Sequence, residues 1–158
     1  MIAMPTPTLS QPSRRAALHT ALRNALLLPL AGVGHRCLAQ DPGPQDARQW
    51  YEHAARMRDL AVSRGDQPYG AALVLNGKLI VAAPSRVIGA NNPDAHAERE
   101  AIRDAQRLLG RQDLSGAVLY STSRPCGLCE EAAFKSRIAR MYHGPDRVDA
   151  GAPRSARR

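Results

Sequence analysis

The chain has 158 residues, a formal charge of +8 and three cysteines, too few sulfurs for a disulfide-stapled scaffold. No apolar run reaches the roughly 18 residues of a membrane-spanning helix. Seven of the positive charges are Arg14, Arg15, Arg23, Arg36, Arg154, Arg157 and Arg158, and removing these seven leaves +1 for the body, which is no strong footprint for nucleic-acid binding.

Residues 1–39 have the build of an export signal. Ser13-Arg14-Arg15 is the basic part, and Ala25 to Leu30 with Ala31 to Val33 is the apolar part. Cys37-Leu38-Ala39 places small residues at the positions a signal peptidase reads, so cleavage before Gln40 is expected. Ser13 to Leu18 resembles the twin-arginine class, whose translocon moves folded proteins. The expected organisation is a signal over 1–39, a domain over 40–150 and an Arg-rich disordered tail over 151–158. A periplasmic or otherwise exported location follows if the signal is used, and a cytoplasmic one if it is not.

After a short linker at Gly43-Pro44, the spacing predicts a helix from Gln45 to about Ser63, with Trp50, Ala54, Met57 and Ala61 on one face. Gly65 to Pro68 ends it. Gly70 to Leu75 and Lys78 to Ala83 read as strands, and Asn76-Gly77 between them is a strong hairpin signal. A polar loop runs from Pro84 to Asp94. A helix over about Ala95 to Leu109 follows, with Ala101, Ile102, Ala105, Leu108 and Leu109 inward and Gly110 at its end. Ala117 to Thr122 is a buried strand, a helix opens near Cys126, and Arg137 to Tyr142 is a fourth strand. From Gly144 the chain is rich in Gly, Pro and Arg and is expected to fray. This order makes an α/β domain, with helices covering a mixed sheet of about four strands.

Ser123 to Ala132 reads SRPCGLCEEA. A Cys-x-x-Cys pair in this setting has three readings. It can be a disulfide, a redox dithiol at a helix start, or two of the ligands of a zinc ion. The zinc reading demands a further ligand, and Asp94-Ala95-His96-Ala97-Glu98 supplies an imidazole at another expected helix start. Residues two apart on a regular helix do not face the same way. His96 and Glu98 can share one site only if His96 stands where the chain is still entering the helix. Asn91 to Asp94 are suitable helix-start residues for that geometry.

His-x-Glu followed by Pro-Cys-x-x-Cys, with Cys126 thirty residues after His96, is the pattern of zinc-dependent nucleobase deaminases. The segments from Pro68 to Ile102 and from Leu119 to Gly144 resemble the cytidine and deoxycytidylate deaminase superfamily. Within it they look nearest to the branch of tRNA adenosine deaminases and guanine deaminases. The resemblance implies a three-layer fold and one Zn²⁺ per chain on His96, Cys126 and Cys129. Three protein ligands leave a fourth position open, as catalytic sites do. It further implies Glu98 as the proton carrier, and the Ala97 backbone N–H as a donor to an oxygen of the substrate ring. A homodimer is common in the family.

Two residues depart from the family pattern. Ser85 stands where relatives usually carry an asparagine that reads the base, and a hydroxyl offers less than a paired donor and acceptor. Arg124 replaces the glutamate that often precedes Pro-Cys, which places a cation near the pocket rim. Beyond Gly144 the recognisable region ends, so a C-terminally shortened sheet with one open edge is expected. The function expected is hydrolytic deamination of a nucleobase, nucleoside or related aminated heterocycle. Export, if it occurs, argues against nucleic acid as a partner. A tRNA adenosine deaminase if it is not, or a non-catalytic zinc-binding relic of the fold, are the alternatives.

Overall fold

The computed structural model describes residues 44–155. The export segment at 1–39, with Cys37, and the last three residues of the Arg-rich tail lie outside them. The elements are α1 (Pro44–Ser63), β1 (Gly70–Leu75), β2 (Lys78–Pro84), α2 (Ala97–Leu109), β3 (Ala117–Ser121), α3 (Gly127–Lys135), β4 (Arg140–His143) and β5 (Val148–Gly151). They form one mixed sheet in the order β2-β1-β3-β4-β5.

Strand alternation explains the layers. In β1, Ala71, Leu73 and Leu75 point to one face, and Ala72 and Val74 to the other. The first face packs Ala97, Ala101, Ile102 and Ala105 of α2 and Ala133 of α3. The second packs Ala47, Trp50 and Ala54 of α1. β3 splits the same way, with Leu119 under α2 and α3 and Tyr120 under α1. Every residue of β1 and β3 is buried, which is why both strands read as unbroken apolar runs rather than alternating ones. Tyr120 stacks on Tyr142 of β4 with ring centroids 5.3 Å apart.

Local chemistry sets the connections. Asn76 and Gly77 both have positive φ, 52° and 68°, as the tight turn of a two-residue hairpin requires. Leu75 pairs with Lys78 across it. At the end of α2, Gly110 takes φ 63° and its N–H donates to the Arg107 carbonyl, while the Arg111 N–H reaches back to the Gln106 carbonyl. This double closure is a Schellman motif. β3 and β4 are parallel, with α3 as the crossover between them.

Two expectations need correction. Leu108 is 68 % exposed and belongs to the outer side of α2. The chain after Gly144 does not fray within the described residues. Gly144 to Arg147 make a turn, and β5 adds a fifth, antiparallel strand with Tyr142 opposite Asp149. The Arg140 guanidinium Nε donates to both carboxylate oxygens of Asp149 at 3.1 Å, fixing that register. Beyond β5, the Arg154 N–H donates to Glu130 on α3 at 3.1 Å, and the Ser155 hydroxyl donates to Glu131 at 3.3 Å. Residues 151–155 are therefore tied to the domain and are not a disordered tail.

Gly70 shows how closely α1 lies on β1. A Cβ added there would collide with the backbone carbonyl of Ala54 and the backbone nitrogen of Arg58, neither of which can yield without moving the helix. We expect Gly70→Ala to lower the unfolding free energy by about 2–3 kcal/mol in a urea titration. Gly127→Ala, whose new methyl meets nothing within 4 Å, is expected to change it by less than about 1 kcal/mol. An unchanged midpoint for Gly70→Ala would contradict this packing.

Candidate metal centre

The site forms where two helices begin. His96 is the N-cap of α2 and holds an extended backbone, φ −64° and ψ 148°. Cys126 is the N-cap of α3, with φ −74° and ψ 167°. Neither side chain caps its own helix, so both are free to turn toward each other. Because His96 is not yet helical, it and Glu98 can address one site although they are two residues apart. Cys129 sits three residues after the α3 N-cap. That is the relation in which a cap side chain and the third helical residue meet, and it brings the two sulfurs to the mouth of one helix.

Neighbouring backbone bonds hold this approach. The Arg86 N–H donates to the Ala95 carbonyl at 3.0 Å, and the Ala95 N–H donates to the Asn92 carbonyl at 3.0 Å. The Asp94 N–H donates to the Asn92 side-chain oxygen at 2.9 Å. On the other side, the Ser121 hydroxyl donates to the Ser123 carbonyl at 2.7 Å and shapes the turn from β3 into Cys126.

His96 Nδ1 lies 3.6 Å from Cys126 Sγ and 3.5 Å from Cys129 Sγ, and the sulfurs are 3.4 Å apart and unbonded. A tetrahedral zinc with bonds of about 2.3 Å to sulfur and about 2.05 Å to nitrogen spaces sulfur and nitrogen by about 3.6 Å and the sulfurs by about 3.8 Å. The sulfur–nitrogen distances match, and the sulfurs need to part by only a few tenths of an ångström. One imidazole and two sulfurs are also a donor set that suits zinc. The redox reading makes no use of an imidazole equally close to both sulfurs.

Electrostatics favour a cation here. Burial, the Glu98 carboxylate and Cys126 together push the Cys129 thiol far up, so its thiolate is costly unless a positive charge sits beside it. A bound divalent ion reverses that balance. Glu98 is 5 % exposed. Burial raises its pKa against the opposing pull of its own backbone N–H, His96 and Cys129. The Cys129 thiol faces Glu98 Oε2 at 3.7 Å, which puts the carboxylate next to the metal donors.

Ala97, fully buried, is the first residue of α2, where backbone N–H groups have no partner within the helix. Ser85 is placed differently from the donor cluster. It is 3 % exposed and gives its hydroxyl to Asp66 Oδ1 at 2.8 Å. It stays near the site, since its neighbour Arg86 holds the residue before His96. Its proton is committed to Asp66, and its oxygen also accepts the Val87 N–H at 3.5 Å. Asp66 was not legible as a site neighbour. It also accepts the N–H groups of Ile88 and Gly89 at 3.1 and 2.9 Å and so fastens the 84–95 loop.

Residues 44–144 match the family described as the cytidine and deoxycytidylate deaminase zinc-binding region. The chain belongs to this family. Its three-layer fold and its His96–Cys126–Cys129 centre are those of a zinc-binding deaminase domain. Among curated relatives, it is 41 % identical over 95 residues to a tRNA-specific adenosine deaminase of Agrobacterium fabrum (strain C58 / ATCC 33970), covering 60 % of this chain and 62 % of that one. It is 35 % identical over 83 residues to a guanine deaminase of Bacillus subtilis (strain 168), covering 52 % and 53 %. A solved structure from studies of tRNA:A34 deaminases superposes with a TM-score of 0.60 at 40 % identity, over 61 % of this chain and 70 % of that one. The chain thus spans less than two thirds of the length of these two curated relatives.

Two outcomes are expected. The purified chain holds one zinc by elemental analysis, Cys129→Ser and His96→Ala each retain less than about a tenth of it, and Glu98→Gln retains it. Full zinc in Cys129→Ser would refute the donor set. For Asp66, burial works to raise the pKa, but hydrogen bonds from Gly89, Ser85, Gln67 and Ile88 outweigh it and hold the carboxyl below its ordinary 3.8. Its stabilisation is complete above that value and fades as the pH falls through the lower folded-state pKa. Asp66→Asn should cost about 1 kcal/mol near neutrality and flatten the acid limb of stability below about pH 4. An unchanged acid limb in melts across pH 2–6 would show that Asp66 is not the fastener.

Proposed function

We propose that the chain is a zinc-dependent hydrolytic deaminase acting on a nucleobase, nucleoside or related aminated heterocycle and releasing ammonia. The observation that carries this reading is the buried Glu98 carboxylate against a three-donor centre. Family membership and the purine-directed names of the relatives support it. His96, Cys126 and Cys129 would hold the ion, which when bound supplies a Lewis acid that makes water nucleophilic near neutral pH.

The rest of the chemistry belongs to the chain's own groups. Glu98 accepts the proton of the attacking water at a carboxylate oxygen and delivers it to the ring nitrogen beside the attacked carbon. It then helps protonate the amine, so that one water is consumed, the C–N bond breaks, a carbonyl forms and ammonia leaves. Burial lifts its pKa toward the working range of a group that must both take and give a proton. In this reading the Ala97 N–H, at the positive end of α2, donates to an oxygen of the substrate ring. Ser85 and the loop it anchors would border the base.

Residues 1–39 as an export signal, a periplasmic location and a homodimer belong to the same proposal. Export of a folded, metal-loaded chain favours a small-molecule substrate. The second reading, an adenosine deaminase acting on tRNA inside the cell, draws on the names of the relatives. A mature N-terminus at Gln40, found by sequencing protein from its host, would favour the first. Full-length protein in the cytoplasm would favour the second.

The test is ammonia release by the zinc-loaded chain on amino-purines, amino-pyrimidines, triazines and an adenosine-containing RNA hairpin. Glu98→Ala should keep its zinc and lose about 10²- to 10⁴-fold in kcat. Turnover that survives the substitution would remove Glu98 from its role. Bound zinc without turnover on any of these would leave a binding protein in place of an enzyme.

A further inference from the structure

The side chain of Arg86 has no part in the chemistry derived above, yet it joins two elements of the site. Arg86 stands just after β2, at the base of the 84–95 loop. Its main chain closes that loop. The N–H donates to the Ala95 carbonyl at 3.0 Å, and the carbonyl accepts the Ala90 N–H at 2.9 Å. Its side chain leaves the loop and lies against α2. Nη1 donates to Glu100 Oε2 at 3.2 Å, and Nη2 lies 3.8 Å from Asp104 Oδ2.

The two acids are arranged for this reach. Glu100 and Asp104 are one helical turn apart, so they share a side of α2. Each gives one oxygen to the arginine three residues on: Glu100 Oε1 accepts from Arg103 at 2.5 Å, and Asp104 Oδ1 accepts from Arg107. Each turns its other oxygen to Arg86. The pairs within α2 persist wherever the loop lies, whereas the Arg86 pairs cross from loop to helix. A surface ion pair alone is worth little. Here the main acceptor is fixed, since Glu100 is 8 % exposed. The guanidinium fork spans both acids, while the backbone of the same residue holds Ala95, directly before His96. We propose that Arg86 is a positioning residue of the metal centre. It staples the chain entering His96 to the body of α2, with Glu100 as its main partner, and so holds the imidazole at its distance from the two sulfurs. This role concerns the grip on zinc and stands whether or not the chain turns over a substrate.

Charge and position predict opposite signs. Loss of a cation from this region would by itself tighten the hold on zinc, and loss of a staple would weaken it. The zinc Kd of the full chain is measured by competition with a chromophoric chelator for Arg86→Met, Arg86→Lys and Arg103→Met. Arg103→Met removes the same charge from the same carboxylate but no link to the loop. The Kd should rise about tenfold or more in Arg86→Met, rise less in Arg86→Lys, which keeps a charge within reach of Glu100, and hold or fall in Arg103→Met. Hydrogen exchange on the zinc-loaded chains gives the second readout. The Asn92 and Ala95 amides, whose bonds lie within the loop, should exchange about tenfold faster in Arg86→Met, with the amides of β1 and β3 unchanged. A zinc affinity that holds or rises in Arg86→Met overturns the staple. So does an equal loss in Arg103→Met or in Arg86→Lys. Faster exchange across β1 and β3 in Arg86→Met also overturns it, because the loss is then of the whole fold and not of position.

Discussion

Three electron-rich atoms held at tetrahedral spacing are the constraint on which the rest of the structure depends. One imidazole nitrogen and two sulfurs lie 3.4 to 3.6 Å from one another, with a buried carboxylate against one of the sulfurs. Left to themselves these groups oppose ionisation: burial and Glu98 push the Cys129 thiol up, and burial pushes the Glu98 carboxyl up. A divalent cation turns the same crowding into a stable arrangement. The fold supports it with two helix N-termini, each aimed at the site and each without a side-chain cap. Their partial positive charge favours the thiolates. In this sense α2 and α3 have traded ordinary capping, worth about 1 kcal/mol per helix, for a centre that binds them together.

That trade sets the requirements on the scaffold. Donors on two separate helices keep their spacing only if both helices are fixed to the same strands. Ala97, Ala101 and Ala105 of α2 and Ala133 of α3 are fully buried against one face of the sheet. Small side chains there let helix and sheet approach closely, and Gly70 plays the same part on the opposite face under α1. A larger residue at one of these alanines would push a donor-bearing helix off the sheet.

What was legible in the sequence was what local chemistry dictates. Asn76-Gly77 fixed the hairpin because only residues tolerant of positive φ fit that turn. Gly110 fixed the end of α2, and the apolar runs of β1 and β3 declared strands, β3 as a buried one. The donors were legible because Ncap and N3 of one helix and Ncap of another are fixed positions that a spacing can encode. β5 was not, since Val-Asp-Ala-Gly is only four residues long, with a single apolar–polar–apolar step, and holds its register through the Arg140–Asp149 pair. Leu108 was misread because one helical face cannot be resolved to within a residue at its last turn. Asp66 stayed hidden because its partners, Ser85, Ile88 and Gly89, are about twenty residues away and three of its four bonds are to backbone N–H groups that no side-chain pattern reveals.

Asp66 also decides what Ser85 can do. It accepts the Ser85 hydroxyl at 2.8 Å, while the Ser85 oxygen accepts the Val87 N–H at 3.5 Å. A hydroxyl engaged on both sides has less to offer a further partner than a free one. The same carboxylate accepts the N–H groups of Ile88 and Gly89, so one group fixes both Ser85 and the loop that follows it. That loop leads into Ala95, which the Arg86 N–H holds directly before His96. A change at Asp66 therefore acts on the approach to the donor cluster without touching a donor.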